Sequence, residues 1–440
     1  MQIIKAKQSV DNIICGKITL ELELPHEILS IIASQEKPDL KSLKEYIARG
    51  HEWLLARHRS GASGFETVNG HTLLIDRLLQ RLFLDAKNEA LARYSANEER
   101  CSIVAIGGYG RGELNPYSDI DVLFLYPSKM NSYLKSLTEG ILYHLWDLGL
   151  TVGFSTRNTA DCVKIAKSDL TARTALMDTR LIAGDEALYV EMEEVVLKDV
   201  IGKGVDDFIR DKVKEGEERH AKYGSSVYIL EPNIKEGEGG LRDIHTALWV
   251  SKARFKAGTF RQLMKKGVIN PKELKFFERS TEFLFRVRNE LHYLSGRKND
   301  QMMFDYQEKI AAFMGFRDTG QHLAVEGFMR GYYIYARNVS QFSRMLIKRA
   351  SAGPGIGGRL LHKMIQREIG EGFKVFHNSI TVTRPENVHL EALPYKYPMR
   401  NSYTLAAEIR QIGECVAKGY PRLALQPLRS DWCSIVGFGP

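Results

Sequence analysis

The chain has 440 residues, of which 44% are hydrophobic and 26% are charged, and 62 Lys and Arg against 54 Asp and Glu give a formal net charge of +8. This composition is typical of a globular protein and excludes an intrinsically disordered chain, a collagen and a disulfide-rich scaffold. The length predicts two to three domains. The basic residues are spread along the chain, which leaves open a solvated cationic surface or affinity for a polyanion such as a nucleotide triphosphate or a nucleic acid.

The cysteines are scattered and show no CxxC spacing, which favours a reducing compartment over a disulfide framework or a metal site. The first residues lack the apolar segment of a signal peptide. No apolar stretch reaches the roughly 18 residues that span a bilayer. We therefore expect a cytoplasmic protein that does not associate with a membrane.

In chain order, residues 1–98 predict a mostly helical N-terminal segment that includes a β-leaning run at 17–25. Residues 99–200 alternate between strand and helix patterns. Short apolar runs there predict strands at 102–106, 120–126, 150–155 and near 175–182, with helices at 130–148 and from about 159.

Residues 201–350 predict an almost wholly helical domain. Its helices, together with the one before it, are predicted at 185–200, 205–223, 243–257, 271–295, 305–315 and 321–348. The Gly-rich run SAGPGIGG then opens a linker and an atypical tail at 351–440, in which FKVFHNSITVT has a β-like pattern. The fold class that we predict is α+β, a small mixed sheet followed by a helical bundle.

One stretch carries most of the chemical information, GGYGRGELNPYSDID at residues 107–121. A strand that ends in Gly107 and Gly108 lets the backbone turn sharply, and the N–H groups of such a turn suit phosphate oxygens. Asp119 and Asp121 open the next strand, where alternation points both carboxylates the same way. Because like charges repel, this pair predicts Mg²⁺ bound together with substrate phosphates, in a two-metal site for phosphoryl transfer. The alternative is a surface turn that merely begins a strand.

GGYGRGELNPYSDIDVLFL resembles the signature of the polymerase-β nucleotidyltransferase superfamily, and more closely that of the bacterial protein-PII uridylyltransferase/uridylyl-removing enzyme family. Three later blocks resemble the same family in the same order: HLWDLGLTVGFSTRN, PNIKEGEGGLRDIHTALWV and FLFRVRNELHYLSGRKNDQMMFDYQEKIA. The resemblance covers roughly residues 40–350. It implies a polymerase-β-like nucleotidyltransferase domain followed by a helical domain.

The resemblance also implies roles for single residues. Gly107, Gly108 and Ser118 would contact the nucleotide phosphates, and Arg111 would neutralise phosphate charge. Asp119 and Asp121 would bind the metal ions.

The superfamily requires a third carboxylate on a later strand of the same sheet, and the candidate is Asp178 in the β-like run ALMDTRLIAGD. Arg180 follows on the same face, and the related glutamine synthetase adenylyltransferases carry a similar Asp-x-Arg. Asp178 would complete the metal site and accept the proton of the attacking hydroxyl. The alternative is a structural ion pair between Asp178 and Arg180 at a sheet edge.

The sequence GGLRD at residues 239–243 is predicted to open a helix, and glycines at a helix N-terminus favour anions. The resemblance implies that this loop faces the transferase cleft, so Gly240 and Arg242 are candidate nucleotide ligands. The alternative is a plain helix start with Asp243 in the first turn. Arg288 and His292, one turn apart on a later helix, either hold an acidic partner or nucleotide or lie on a solvated basic face.

The resemblance implies Mg²⁺-dependent transfer of UMP from UTP to a tyrosine of a PII-type protein. The family's hydrolase domain carries an adjacent His-Asp pair, which occurs nowhere in this sequence, and its glutamine-sensing domains would follow beyond residue 440. We therefore expect neither uridylyl removal nor direct control by glutamine. The alternatives are adenylyl transfer to another protein, a non-catalytic nucleotide-binding regulator and, despite the lack of aromatic–basic interleaving, nucleic-acid end modification. No nucleic-acid partner is expected.

Overall fold

The computed structural model describes residues 22–94 and 98–352, together with short strands between residues 367 and 382. Most of the predicted linker run, from residue 353, and most of the β-leaning run at 17–25 lie outside these residues. Residues 22–25, the part of that run that is described, have no regular structure. The chain up to Ser351 forms one compact unit and the residues from Ala352 form a second.

Three helices precede the sheet: α1 (His26–Ala33), α2 (Leu40–Arg59) and α3 (Gly64–Tyr94). The Asp39 side chain accepts a hydrogen bond from the Ser42 N–H and so caps the start of α2. Helix α3 buries its apolar stripe against the sheet domain. The mostly helical character predicted here is observed within residues 22–94.

The central sheet has four strands in the order β3-β2-β1-β4: β1 (Ser102–Ile106), β2 (Ile120–Leu125), β3 (Val152–Arg157) and β4 (Thr179–Gly184). Strand β1 runs antiparallel to both β2 and β4, whereas β2 and β3 are parallel. The connections hold a single turn after β1 and three longer helices: α4 (Gly107–Gly110), α5 (Ser132–Asp147), α6 (Thr159–Ser168) and α7 (Leu170–Met177).

The strand predicted near 175–182 begins only at Thr179. The Asp169 side chain accepts from the Ala172 N–H and caps α7, which therefore continues to Met177. The other three predicted strands are confirmed with small shifts of their ends.

The two faces of β2 belong to different cores. Ile120, Val122 and Phe124 pack with α3 and α5. Leu123 and Leu125 face the opposite side, with α6 and the residues that follow β4. Because side chains alternate, Asp121 shares the second face.

The rest of the chain to Ser351 is helical, and its helices agree with the predicted ranges to within a few residues. They are α8 (Glu186–Val196), continued by a π-helical turn (Leu197–Ile201), then α9 (Val205–Tyr223), α10 (Leu241–Phe255), α11 (Phe260–Lys265), α12 (Pro271–Ser295), α13 (Phe304–Phe313) and α14 (Ala324–Ser351). Helix α11 was not predicted. Helices α10, α12, α13 and α14 share an aromatic-rich core.

The second unit contains an antiparallel sheet, β5 (Arg367–Glu368), β6 (Phe373–Phe376) and β7 (Ser379–Val382), which confirms the β-like pattern seen there. The fold is α+β, as predicted. Among the described helices, none combines the length and the apolar character needed to cross a bilayer. The division of residues 1–351 at 98 and 200 stays a prediction.

Candidate active site

The turn after β1 leaves space beside a carboxylate of β2. Gly107 has φ +60°, a left-handed conformation that favours glycine. A Cβ at this position would face Asp121 Oδ2 at 4.0 Å. Gly107 therefore both turns the chain and lies next to the predicted metal site.

Asp119 and Asp121 lie close enough to interact electrostatically. Burial raises the pKa of Asp121, and the charge of Asp119 raises it further, while Lys298 and Lys235 act in the opposite direction. Lys298 forms an ion pair with Asp119 Oδ2. A divalent cation would relieve the same repulsion more completely, so the pair is chemically suited to a metal.

The carboxylate of Asp121 extends over the neighbouring strand. Asp121 and Gly153 are register partners on β2 and β3. A Cβ on Gly153 would collide with Asp121 Oδ1, so the glycine gives this carboxylate its space. The pairing depends on strand register and was not visible in the sequence.

Two serine hydroxyls near this pair are buried and lack a hydrogen-bond partner among the described residues, Ser118 Oγ and Ser155 Oγ. Ser118 directly precedes Asp119. Ser155 lies two residues after Gly153 on β3 and therefore faces the same side as Asp121. Buried hydroxyls without a partner are costly, and phosphate oxygens or metal-bound water would satisfy them. Ser155 was missed, because a single serine in a short strand gives no sequence signal.

Within the described ranges, no group of three or more His, Cys, Asp or Glu side chains is placed to hold a metal ion. A cation at Asp119 and Asp121 would take its other ligands from water and substrate phosphate. This is the coordination that Mg²⁺ prefers. The residues present thus fit a substrate-completed magnesium site.

Asp178 lies just outside a strand, so its predicted place on a strand is wrong, and its role as a third metal ligand stays a prediction. It ends α7 just before β4, which lies next to β1 in the same sheet. Its Oδ2 accepts hydrogen bonds from Arg111 Nη1 at 2.7 Å and from Trp249 Nε1 at 2.6 Å. Arg180 pairs instead with Asp76 at 2.7 Å, so the alternative of an Asp178–Arg180 ion pair is not observed.

Arg111 lies in a buried ionic network that links the Gly-Gly turn to α10. Its Nε donates to Glu113 Oε2 at 2.7 Å, and the same oxygen lies 3.0 Å from His245 Nε2. Burial and the charge of Arg111 hold the pKa of His245 well below its usual range. With 11% of its side chain exposed, Arg111 already has two carboxylate partners, Glu113 and Asp178. Its contact with nucleotide phosphate stays a prediction.

Helix α10 begins at Leu241 after Gly240, as predicted. Asp243 in its first turn accepts from the Gly239 N–H at 2.7 Å and from Arg219 and His220. Arg242 pairs with Glu236 at 3.0 Å. These bonds show structural roles for the loop, while nucleotide contacts of Gly240 and Arg242 stay predictions.

Arg288 and His292 do not form a solvated face, because both are buried in the interior of α12. Arg288 Nε donates to Asp300 Oδ1 at 2.7 Å, and Arg288 Nη1 donates to Asn115. His292 Nδ1 donates to the Pro116 carbonyl. Helix α12 thus holds the loop that leads directly into Ser118 and Asp119. The sequence shows that Arg288 and His292 lie one turn apart on a helix, but this spacing does not indicate whether their side chains are buried.

The carboxylate of Asp300 is predicted to stabilise the fold in a pH-dependent way. Burial alone would raise the pKa of Asp300, but Arg288 and the hydrogen bond with His292 outweigh burial and hold it far below the usual range. A carboxyl with a lowered pKa stabilises the fold above its unfolded-state pKa of about 4, and this stabilisation is lost as the pH falls further. Asp300→Asn is therefore expected to lower the free energy of unfolding at pH 7 by about 3–5 kcal/mol, since Arg288 stays buried without its partner.

Urea unfolding at pH 7, 5 and 3.5 measures this effect. The difference between Asp300→Asn and the unchanged protein should shrink at the lowest pH. Asp147→Asn, at an exposed carboxylate at the end of α5, is the control. A pH-independent difference would contradict the assigned role.

Comparison with known proteins agrees with this geometry. Residues 87–182 match a family model described as a nucleotidyltransferase domain. The chain therefore contains a nucleotidyltransferase domain, with the Gly-Gly turn and the Asp119–Asp121 pair inside it. Residues 207–347 match the family model described as GlnD PII-uridylyltransferase. The two matches lie in the order that the sequence resemblance to PII uridylyltransferases predicts.

Its relatives are bifunctional uridylyltransferase/uridylyl-removing enzymes. The chain is 37% identical over 320 residues to the enzyme of Phenylobacterium zucineum, covering 72% of this chain and 34% of the relative. It is 40% identical over 287 residues to that of Rhodospirillum rubrum, covering 65% and 30%, and 35% identical over 352 residues to that of Erythrobacter litoralis, covering 78% and 38%. The chain spans about a third of the length of these curated relatives.

Proposed function

We propose that this chain transfers UMP from UTP to a tyrosine hydroxyl of a PII-type signal protein, releases pyrophosphate and depends on Mg²⁺. The observation that carries the proposal is the Asp119–Asp121 pair beside the Gly107 turn, inside a nucleotidyltransferase domain and ahead of a PII-uridylyltransferase region. The partners would be UTP and the PII-type protein, in the cytoplasm.

In this proposal Asp119 and Asp121 hold the metal, which when bound neutralises charge on the phosphates. The backbone of Gly107 and Gly108 and the Ser118 hydroxyl hold phosphate oxygens. The tyrosine hydroxyl gives its proton to solvent water, its oxygen bonds to the α-phosphorus while the bond from that phosphorus to the bridging oxygen breaks, and pyrophosphate leaves. Positioning and neutralisation of charge supply most of the acceleration.

The proposal also gives roles to two lysines near Asp121 and to Asp178. The charges of Lys298 and Lys235 already act on Asp121, and they would favour the leaving pyrophosphate. We assign Asp178 to holding Arg111 and Trp249 rather than to binding the metal, because of its hydrogen bonds.

The test is a labelling experiment. The purified chain with Mg²⁺ is incubated with each α-labelled nucleoside triphosphate, a PII-type protein and a cell extract. We expect label from UTP on a tyrosine of the PII-type protein. Label from ATP on another protein would contradict the proposal in favour of adenylyl transfer, and label on nucleic acid would contradict it as well.

The same reaction addresses removal of the modification. We propose that these 440 residues do not release UMP from modified protein, because their sequence contains no adjacent His-Asp pair. Release of UMP from prelabelled PII-type protein by the purified chain would contradict this part.

A further inference from the structure

Strand β3 has an edge that pairs with no strand within the described part of the chain. The Ile120 N–H donates to the Thr151 carbonyl and the Tyr126 N–H to the Arg157 carbonyl. In a parallel ladder alternate residues bond to the same neighbour, so 151, 153, 155 and 157 face β2. The N–H and C=O groups of Val152, Phe154 and Thr156 therefore point toward the free edge.

The metal site can be reached from this edge. Asp121 extends over Gly153, which has no side chain to block the way. Strands in a sheet lie about 4.8 Å apart, so a strand added to β3 would lie about 10 Å from β2. A tyrosine on the added strand that points to the Asp121 side of the sheet has only β3 between it and the carboxylate. At Gly153, β3 has no side chain in the way.

The other face of the same edge carries exposed aromatic side chains. Phe154, Trp146 and Tyr143 are 49%, 47% and 56% exposed. The ring centroids of Trp146 and Phe154 are 6.1 Å apart, and those of Tyr143 and Trp146 are 5.8 Å apart. We call these three residues the aromatic patch.

The patch is not placed to bind the nucleotide. Phe154 is the register partner of Val122, which packs on the α5 side of the sheet, whereas Asp121 faces the opposite side. A uridine whose phosphates lie at Asp121 cannot stack on a patch behind the sheet. An extended peptide can reach both faces, because its side chains alternate.

We propose that the free edge of β3 binds the acceptor segment of the protein substrate as an added strand. The acceptor tyrosine lies over Gly153 toward Asp121, and the residues on either side of it pack on the aromatic patch. Main-chain hydrogen bonds to Phe154 and Thr156 give affinity, and the patch gives selectivity for apolar or aromatic flanking residues. This inference rests on the proposed function and names the surface that recognises its protein partner.

Two variants and one matched control test the edge. Thr156→Pro removes an outward N–H without removing a bond to β2. Phe154→Ser removes the patch, and Phe276→Ser removes a phenylalanine on α12 that is also 49% exposed. Initial rates of UMP transfer are measured against acceptor concentration and against UTP concentration, and thermal melting confirms that each variant is folded.

We expect Thr156→Pro and Phe154→Ser each to raise the KM for the protein acceptor about tenfold or more, with the KM for UTP unchanged. The control Phe276→Ser should behave as the unchanged protein. An unchanged acceptor KM in folded Phe154→Ser would overturn the inference, and so would equal increases in both KM values. A change only in melting temperature or sedimentation would also overturn it, because the edge would then be covered by this chain or a second copy. If the unchanged protein modifies no PII-type protein, the proposed function fails instead.

Discussion

Asp119→Asn and Asp121→Asn are each expected to lower the rate of UMP transfer by about a thousandfold or more, with the fold intact. An amide replaces a charged oxygen ligand, so the metal and the triphosphate lose their main anchor. Burial and Asp119 both raise the pKa of Asp121, which means that the folded state is destabilised by its charge. Asp121→Asn removes this repulsion, and its melting temperature should equal or exceed that of the unchanged protein.

Transfer rates at several Mg²⁺ concentrations and thermal melting test this result. Asp161→Asn, which changes an exposed aspartate at the start of α6, serves as the control. Full activity of folded Asp119→Asn would remove the basis of the proposed function. Loss of activity together with loss of the fold would show that the carboxylates are structural.

Arg111→Met is expected to lower the free energy of unfolding by about 3–5 kcal/mol. The change leaves two carboxylates, Glu113 and Asp178, buried without their cation. Arg111→Lys restores the charge but not the forked geometry, and it should recover only part of the loss.

Urea unfolding at pH 7 measures the effect. Arg100→Met, at a much more exposed ion pair with Asp185, is the control and should change the midpoint little. A small effect of Arg111→Met would mean that water compensates the two carboxylates and that the network is not closed.

The Asp119–Asp121 pair and the Gly107 turn could be predicted because they depend only on local rules. Alternation along one strand fixes where two carboxylates point, and a Gly-Gly pair after an apolar run marks a turn. Helices such as α12 were predicted for the same reason, since the sequence alone specifies their period and caps.

The place of Asp178 depends on where α7 ends. Asp169 caps a helix that continues to Met177, where a strand was expected, and β4 begins only at Thr179. The proximity of Gly153 to Asp121 follows from strand register, which no local pattern specifies. The burial of Arg288 and His292 depends on what packs over α12, and a one-turn spacing suits an exposed face equally well.

The hydrogen bonds between α12 and the loop before Asp119 determine which fragments of the chain can keep an ordered active site. Asn115 Nδ2 donates to Asn289 Oδ1 at 2.6 Å, and Asn289 Nδ2 donates to the Gly64 carbonyl at 3.1 Å, so one side chain of α12 joins the loop to the start of α3. The order of the loop before Asp119 is therefore supplied by a segment more than a hundred residues away in the chain. A fragment cut after β4 would keep every candidate metal ligand and still lose the scaffold that aligns them. Transfer of the nucleotidyltransferase domain to another protein, in evolution or by design, would therefore have to include α12.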